Sequence, residues 1–265
     1  PKPNPMFFEK GKLIKGKELD YAYDCRIRFW DNFNFQDQRI LSTPYFYKKF
    51  KTYIEKITMQ SADSVYVALE DFINAANQKG GQIYSQYIIN LYLAKLPLMP
   101  FSFNEHIYLQ IVENLINKGK TPWLSLSDIE THNINTQAIK PFLPGNKFPN
   151  INSLYDLEAK YTIIHFYSST CESCKKDIDD LINFYNDDSK TYDAQIISIN
   201  VGEETSESPF AWTNWQIDPQ ILKQKHSIDI IRTPEVYILD KDKTILNKTV
   251  IYSHIKKAIK DWEGF

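Results

Sequence analysis

The sequence predicts an all-α N-terminal domain followed by an α/β C-terminal domain, with a central mixed sheet flanked by helices. Three observations carry this. Apolar residues recur at helical spacing from Lys17 to about Ile139. Beyond Pro141-Phe142-Leu143-Pro144-Gly145, short β-rich runs alternate with helices. The length, 265 residues, suits two domains of ordinary size. The expected division is 1–142 and 143–265, with the second piece separable as a folded fragment.

In the first half, a helix over 19–30 is expected to bury Leu19, Tyr23, Ile27 and Trp30. Thr43 followed by Pro44 starts a second helix, with Phe46, Phe50, Tyr53, Ile54 and Ile57 on one face. Ser61 caps a third, in which Val65, Ala68, Leu69, Phe72, Ile73 and Ala76 follow at three- and four-residue steps. Segments 82–96 and 104–117 read the same way, for five or six helices in all. The aromatic runs "RFWDNFNF" and "PYFYKKFKTY" either line a groove for sugars or peptides or make the core; the core reading is preferred. No repeat of solenoid period is present.

In the second half, "YTIIHFY" (161–167) and "AQIISINV" (194–201) are buried strands, expected to be parallel through a right-handed crossover. Between them a helix presents Cys174, Ile178, Leu181, Ile182 and Tyr185 on one face. "EVYILD" (235–240) and "TILNKTVI" (244–251) flank a charged turn and should form a hairpin. A last helix, capped by Ser253, is expected to bury Ile255, Ala258, Ile259 and Trp262.

Composition excludes several classes. With 43% hydrophobic and 24% charged residues the chain is a folded globular one. A net charge of −2 and no basic stripe argue against nucleic acid. The richest apolar run, Tyr87 to Phe101, is broken by Asn90, Lys95 and two prolines, so no transmembrane segment is expected. The first residue is Pro1, so the natural start is expected to lie upstream, with any signal peptide or lipid anchor.

The chain has three cysteines, and two of them, Cys171 and Cys174, stand in "SSTCESCKKDI" after a buried strand, where a helix opens. Amide groups at a helix start favour an anion, so Cys171 is the cysteine expected to have a lowered pKa. Cys174, on the apolar stripe, is shielded. An exposed thiolate then attacks a disulfide and a shielded thiol resolves the mixed disulfide. A zinc site lacks a second pair of Cys or His ligands, and the five histidines are scattered. A peroxidatic role finds only faint echoes, in Ser168 and Arg232. A structural pair without turnover is the remaining alternative.

From about 143 to 265 the sequence resembles a thioredoxin-fold domain of the TlpA/ResA type, the envelope-associated thiol–disulfide oxidoreductases. "GNKFPNI" (145–151), "YTIIHFYSSTCESCKKDI" and "RTPEVYILDKDKTI" (232–245) carry the likeness. The resemblance implies Cys171 and Cys174 as the catalytic pair. It also implies a cis peptide at Thr233-Pro234 facing them, where backbone groups pair with an extended substrate. "FWDNFNFQDQRILSTPYFYKKFKTYI" (29–54) resembles a helical domain of unknown function found upstream of thioredoxin modules in Bacteroidetes-type envelope proteins. Together these imply a periplasmic or envelope location, with a lipid anchor in the missing N-terminus as an open expectation.

The sequence departs from the family at two places. Thr170 stands where a tryptophan usually precedes the first cysteine, and Ser173 where a proline precedes the second. Glu172 opposes a thiolate, while Lys175 and Lys176 favour it. His165 takes the place of a buried acid of thioredoxins proper, and reads as a hydrogen-bonded core residue more readily than as a catalyst. Asp177 matches an acidic position near the family's cysteines or is a helix-surface carboxylate. Cys25 is expected to be a bystander, the alternative being a third redox partner.

The expectation is therefore an envelope thiol–disulfide oxidoreductase. Its partners are protein thiol or disulfide substrates and a redox partner that resets the pair, with no cofactor and no metal. The direction of electron flow is open. The rival is a binding or scaffold protein that uses the fold as a platform.

Overall fold

The computed structural model describes residues 3–99, 101–176, 178–203, 210–230, 233–249 and 251–264. In the first half the apolar rhythm becomes helices α1 (Glu18–Ile27), α2 (Pro44–Thr52), α3 (Ala62–Gln78) and α4 (Gln82–Lys95). Helices α5 (Ser102–Ile111) and α6 (Leu126–Ile139) follow. Ahead of α1 lies a short hairpin, β1 (Phe8–Glu9) with β2 (Lys12–Leu13), that periodicity over two residues is too short to reveal. Ser61 caps α3 by accepting the Ser64 N–H at 3.2 Å.

The aromatic runs make a core. Trp30, 2% exposed, has ring contacts at 5.0 Å to Phe72, 5.3 Å to Phe33 and 5.4 Å to Tyr53. Edge-to-face packing of this kind adds roughly 1 kcal/mol per pair to the burial of the rings. Gly81 lies against this cluster, and a Cβ there would stand 2.6 Å from Phe35 Cβ. Helix α1 corrects the sequence reading: Leu19, Tyr23 and Ile27 are exposed, and only Trp30 beyond its end is buried. Tyr, Asp and Arg spread around this helix leave no apolar stripe, and polar bonds hold it instead. Arg26 pairs with Asp71 at 3.2 Å, and Asn4 donates to Asp24 at 3.2 Å.

In the second half, strands β3 (Tyr161–Tyr167), β4 (Ala194–Asn200), β5 (Thr213–Gln216), β6 (Glu235–Asp240) and β7 (Ile245–Thr249) form one mixed sheet in the order β5-β4-β3-β6-β7. The expected parallel β3–β4 pair and the β6–β7 hairpin are both present. Strand β5, four residues with a half-exposed pattern, was not expected; it pairs parallel to β4. Helices α7 (Glu172–Lys176), α8 (Ile178–Asn183), α9 (Pro219–His226) and α10 (His254–Glu263) complete the unit.

Alternation along the strands sorts two cores. Ile164, Phe166, Ile199, Tyr237 and Leu239 face one side, with Leu222 of α9 and Phe148. Ile163, Ile196, Val236 and Ile238 face the other, with Leu181 of α8 and Ile255 and Ile259 of α10. Trp262 is 62% exposed, against expectation. Glu263 takes the inward place in that last turn, pairing with Lys160 and accepting the Tyr161 hydroxyl at 3.1 Å. Ser253 makes no capping bond, because its own backbone is already helical.

Two compact units result, Pro1–Leu98 with His106–Ile129 and Met99–Glu105 with Glu130–Phe265. The expected division at 142/143 thus differs from the observed one at both edges. Phe142 lies in the sheet core, 6.0 Å from the Phe148 and Tyr237 rings. Ser102 and Glu105 bond Lys248 of β7. Among the described residues no helix is long and apolar enough to cross a membrane.

Candidate active site

The fully buried strand β3 ends at Tyr167, and the chain turns through Ser168–Thr170 into α7. That turn is stitched to the exit of β4. Val201 N–H donates to Tyr167 O at 2.9 Å, and Ser169 Oγ donates to Glu203 O at 3.3 Å. Gly202 makes the close approach possible, since a Cβ there would stand 2.2 Å from Ser168 Oγ. Gly202→Ala is therefore expected to displace the turn and slow cysteine chemistry several-fold while leaving the sheet intact, read by insulin-reduction rate and circular dichroism.

Cys171 and Cys174 are joined as a disulfide. Cys171 is half-buried, whereas Cys174 is 4% exposed. The Cys174 N–H donates to Cys171 Sγ at 3.1 Å, and the Cys171 N–H is held by Ser168 O at 3.0 Å. An amide hydrogen aimed at sulfur favours the thiolate over the thiol once the bond is reduced. Glu172 and Lys175, opposed influences on paper, pair with each other at 3.4 Å on the surface. Asp177 and Arg232 lie outside the described residues.

From the opposite side, the Thr233 carbonyl oxygen stands 3.4 Å from Cys171 Sγ. The Thr233–Pro234 bond is cis. The structure thus brings Cys171, Cys174 and Thr233-Pro234 together. Cys25 stays a free, half-buried thiol on α1. Among the described residues no three His, Cys, Asp or Glu side chains gather as a metal would need.

His165, on β3 ahead of the cysteines, is fully buried. Its Nδ1 is 3.0 Å from Ser198 Oγ and its Nε2 2.9 Å from the Tyr252 hydroxyl. Ser198 Oγ also accepts the Trp212 Nε1–H at 2.9 Å. Both ring nitrogens are committed to hydroxyls, which is the core role. Burial pushes its pKa down from about 6.5 to about 3. The unfolded chain therefore binds a proton that the folded chain refuses. The resulting stability is complete above pH 6.5 and is lost as pH falls toward the folded value near 3. From pH 7 to 5 the loss is about 2 kcal/mol. Urea denaturation of the parent beside His165→Gln, which does not titrate, should show that difference; parallel pH profiles would sink it.

The chain is similar to the crystal structure of a thioredoxin-like protein from Bacteroides caccae, with a TM-score of 0.69 and 21% identity over 96% of this chain and 99% of that one. The fold is thioredoxin-like. Within this frame the sheet order, the cysteine pair after β3 and the proline before β6 all lie in the thioredoxin-like unit. Residues 13–140 match the family described as Domain of unknown function (DUF5106), in line with the resemblance of the helical half. A domain of a possible thiol-disulfide isomerase from Cytophaga hutchinsonii is 28% identical over 47% of this chain and 95% of that one, with a TM-score of 0.40. The thioredoxin domain of a thiol-disulfide oxidoreductase from Bacteroides vulgatus is 18% identical over 44% and 97%, with a TM-score of 0.35. No curated protein matches the chain.

Besides strand β5, sequence reasoning missed a buried carboxylate beside the site. Glu235, directly after Pro234, is a buried carboxylate bound to Tyr237 and Lys248. A glutamate opening an apolar strand was its only signal.

Proposed function

We propose that the protein is a thiol–disulfide oxidoreductase acting on protein substrates through Cys171 and Cys174. The observation that carries this is the asymmetry of the pair. Cys171 is half-exposed with an amide hydrogen on its sulfur, and its partner is buried behind it. In the reduced protein the Cys171 thiolate attacks one sulfur of a substrate disulfide, forming a mixed disulfide and releasing one substrate thiolate. Cys174 then attacks Cys171 Sγ, releasing the second thiolate and closing the Cys171–Cys174 bond. Two electrons pass to the substrate, and the Cys174 proton leaves with solvent or the departing thiolate. A dithiol donor runs the same steps backward to reset the pair. Thr233-Pro234 supplies the edge along which an extended substrate lies, its carbonyl beside the attacked sulfur.

The TlpA/ResA resemblance supports an oxidising envelope compartment as the place of work. Cell fractionation tests this, and recovery in the cytoplasmic fraction would overturn it. The chemistry is tested by limited iodoacetamide alkylation of the reduced protein. Mass spectrometry should find Cys171 labelled at least about tenfold faster than Cys174, from exposure and thiolate content together. Faster labelling of Cys174 reverses the roles.

A further inference from the structure

The thioredoxin-like unit buries a charged cluster directly behind its substrate edge. Glu235 is 4% exposed and Lys248 is 5% exposed. The Tyr237 hydroxyl donates to Glu235 Oε2 at 2.9 Å, and Lys248 Nζ stands 3.5 Å from the same oxygen. Lys248 also donates to Glu105 Oε1 at 2.8 Å, and its backbone N–H donates to Ser102 Oγ at 3.2 Å. Register explains the grouping: Tyr237 of β6 and Lys248 of β7 are cross-strand partners, with the ammonium 5.1 Å from the Tyr237 ring centre.

Taking charges out of water is costly, and such clusters are often no more stabilising than apolar side chains of the same volume. A glutamate at this place therefore asks for another reason. Its backbone supplies one. Glu235 is two residues from Thr233, whose carbonyl lies 3.4 Å from Cys171 Sγ. Its side chain points into the core opposite His165, since it pairs across the ladder with Phe166 and shares that side with Tyr237. Donors from β6 and β7 converge on this carboxylate and fix where β6 begins. An apolar side chain there would hold the strand by packing alone, without the directional bonds that make its position more specific.

We propose that Glu235, held by Tyr237 and Lys248, is a positioning residue that sets the Thr233 carbonyl against Cys171 and thereby governs protein-substrate binding. This rests on the oxidoreductase reading. A small disulfide needs only the sulfur, so it is indifferent to the clamp; an extended chain must use the edge.

The test compares insulin with a small aromatic disulfide as substrates of the full chain. Glu235→Leu removes the acceptor while Lys248 keeps Glu105. It should lower kcat/KM for insulin about tenfold or more, chiefly through KM, and leave the small-disulfide rate within about twofold. Glu235→Gln, which retains an acceptor oxygen, should recover most of the loss. Tyr237→Phe, which removes one donor only and serves if Glu235→Leu fails to fold, should show the same split at a few-fold. Equal loss on both substrates, or none on either, overturns the inference while the oxidoreductase reading stands. A parent inactive on both substrates overturns that reading and this inference with it.

Discussion

Cys171→Ser should abolish insulin reduction, a fall of at least roughly 100-fold, while the fold and its melting behaviour stay close to the oxidant-free parent. A serine hydroxyl at the same place is not ionised near neutrality, so the amide hydrogen that stabilises a Cys171 thiolate has no anion to act on. Cys174→Ser should fail differently. Its first step survives, so a mixed disulfide between Cys171 and the substrate accumulates and is visible as added mass under non-reducing conditions. Retained turnover in Cys171→Ser would remove the pair from the mechanism, and a parent without turnover would favour the scaffold reading. Cys25→Ser, tested alongside, should leave rate and reduction potential unchanged.

Glu105→Ala should destabilise the thioredoxin-like unit by about 3 kcal/mol, measured by urea denaturation. Lys248 and Glu105 have side chains 6% and 5% exposed, so removing the carboxylate leaves an ammonium in a site that water barely reaches, held among the described residues by the longer contact to Glu235 and by the Tyr237 ring. In a Lys248→Met background the same change should cost far less, since the charge it strands is already gone. A cost under about 1 kcal/mol in the parent would mean that water enters and solvates the lysine. The same bond bears on separability. A fragment of 143–265 omits Ser102, Glu105 and Phe142, and should be less stable than the unit within the full chain.

Much of this was legible in the chain itself. The change from helical spacing to short β-rich runs separates two kinds of architecture, because burying one face of a helix and both faces of a strand require different apolar periods. Cys171 and Cys174 are readable as a pair because their chemistry follows from local placement, a buried strand before them and a helix after them. The β6–β7 hairpin is likewise a matter of neighbours in sequence. What the tertiary structure alone decided are the partners brought from far along the chain. His165 meets Tyr252 across 87 residues, and Lys248 meets Glu105 across 143. Such pairs leave no periodic trace, since any carboxylate on the right element would serve the lysine equally. Strand β5 pairs along the edge that β4 offers, and in the last turn of α10 Glu263 reaches Lys160 while Trp262 stays exposed. Local spacing determines which face of an element is apolar; only the packed fold determines which polar group is carried inside with it.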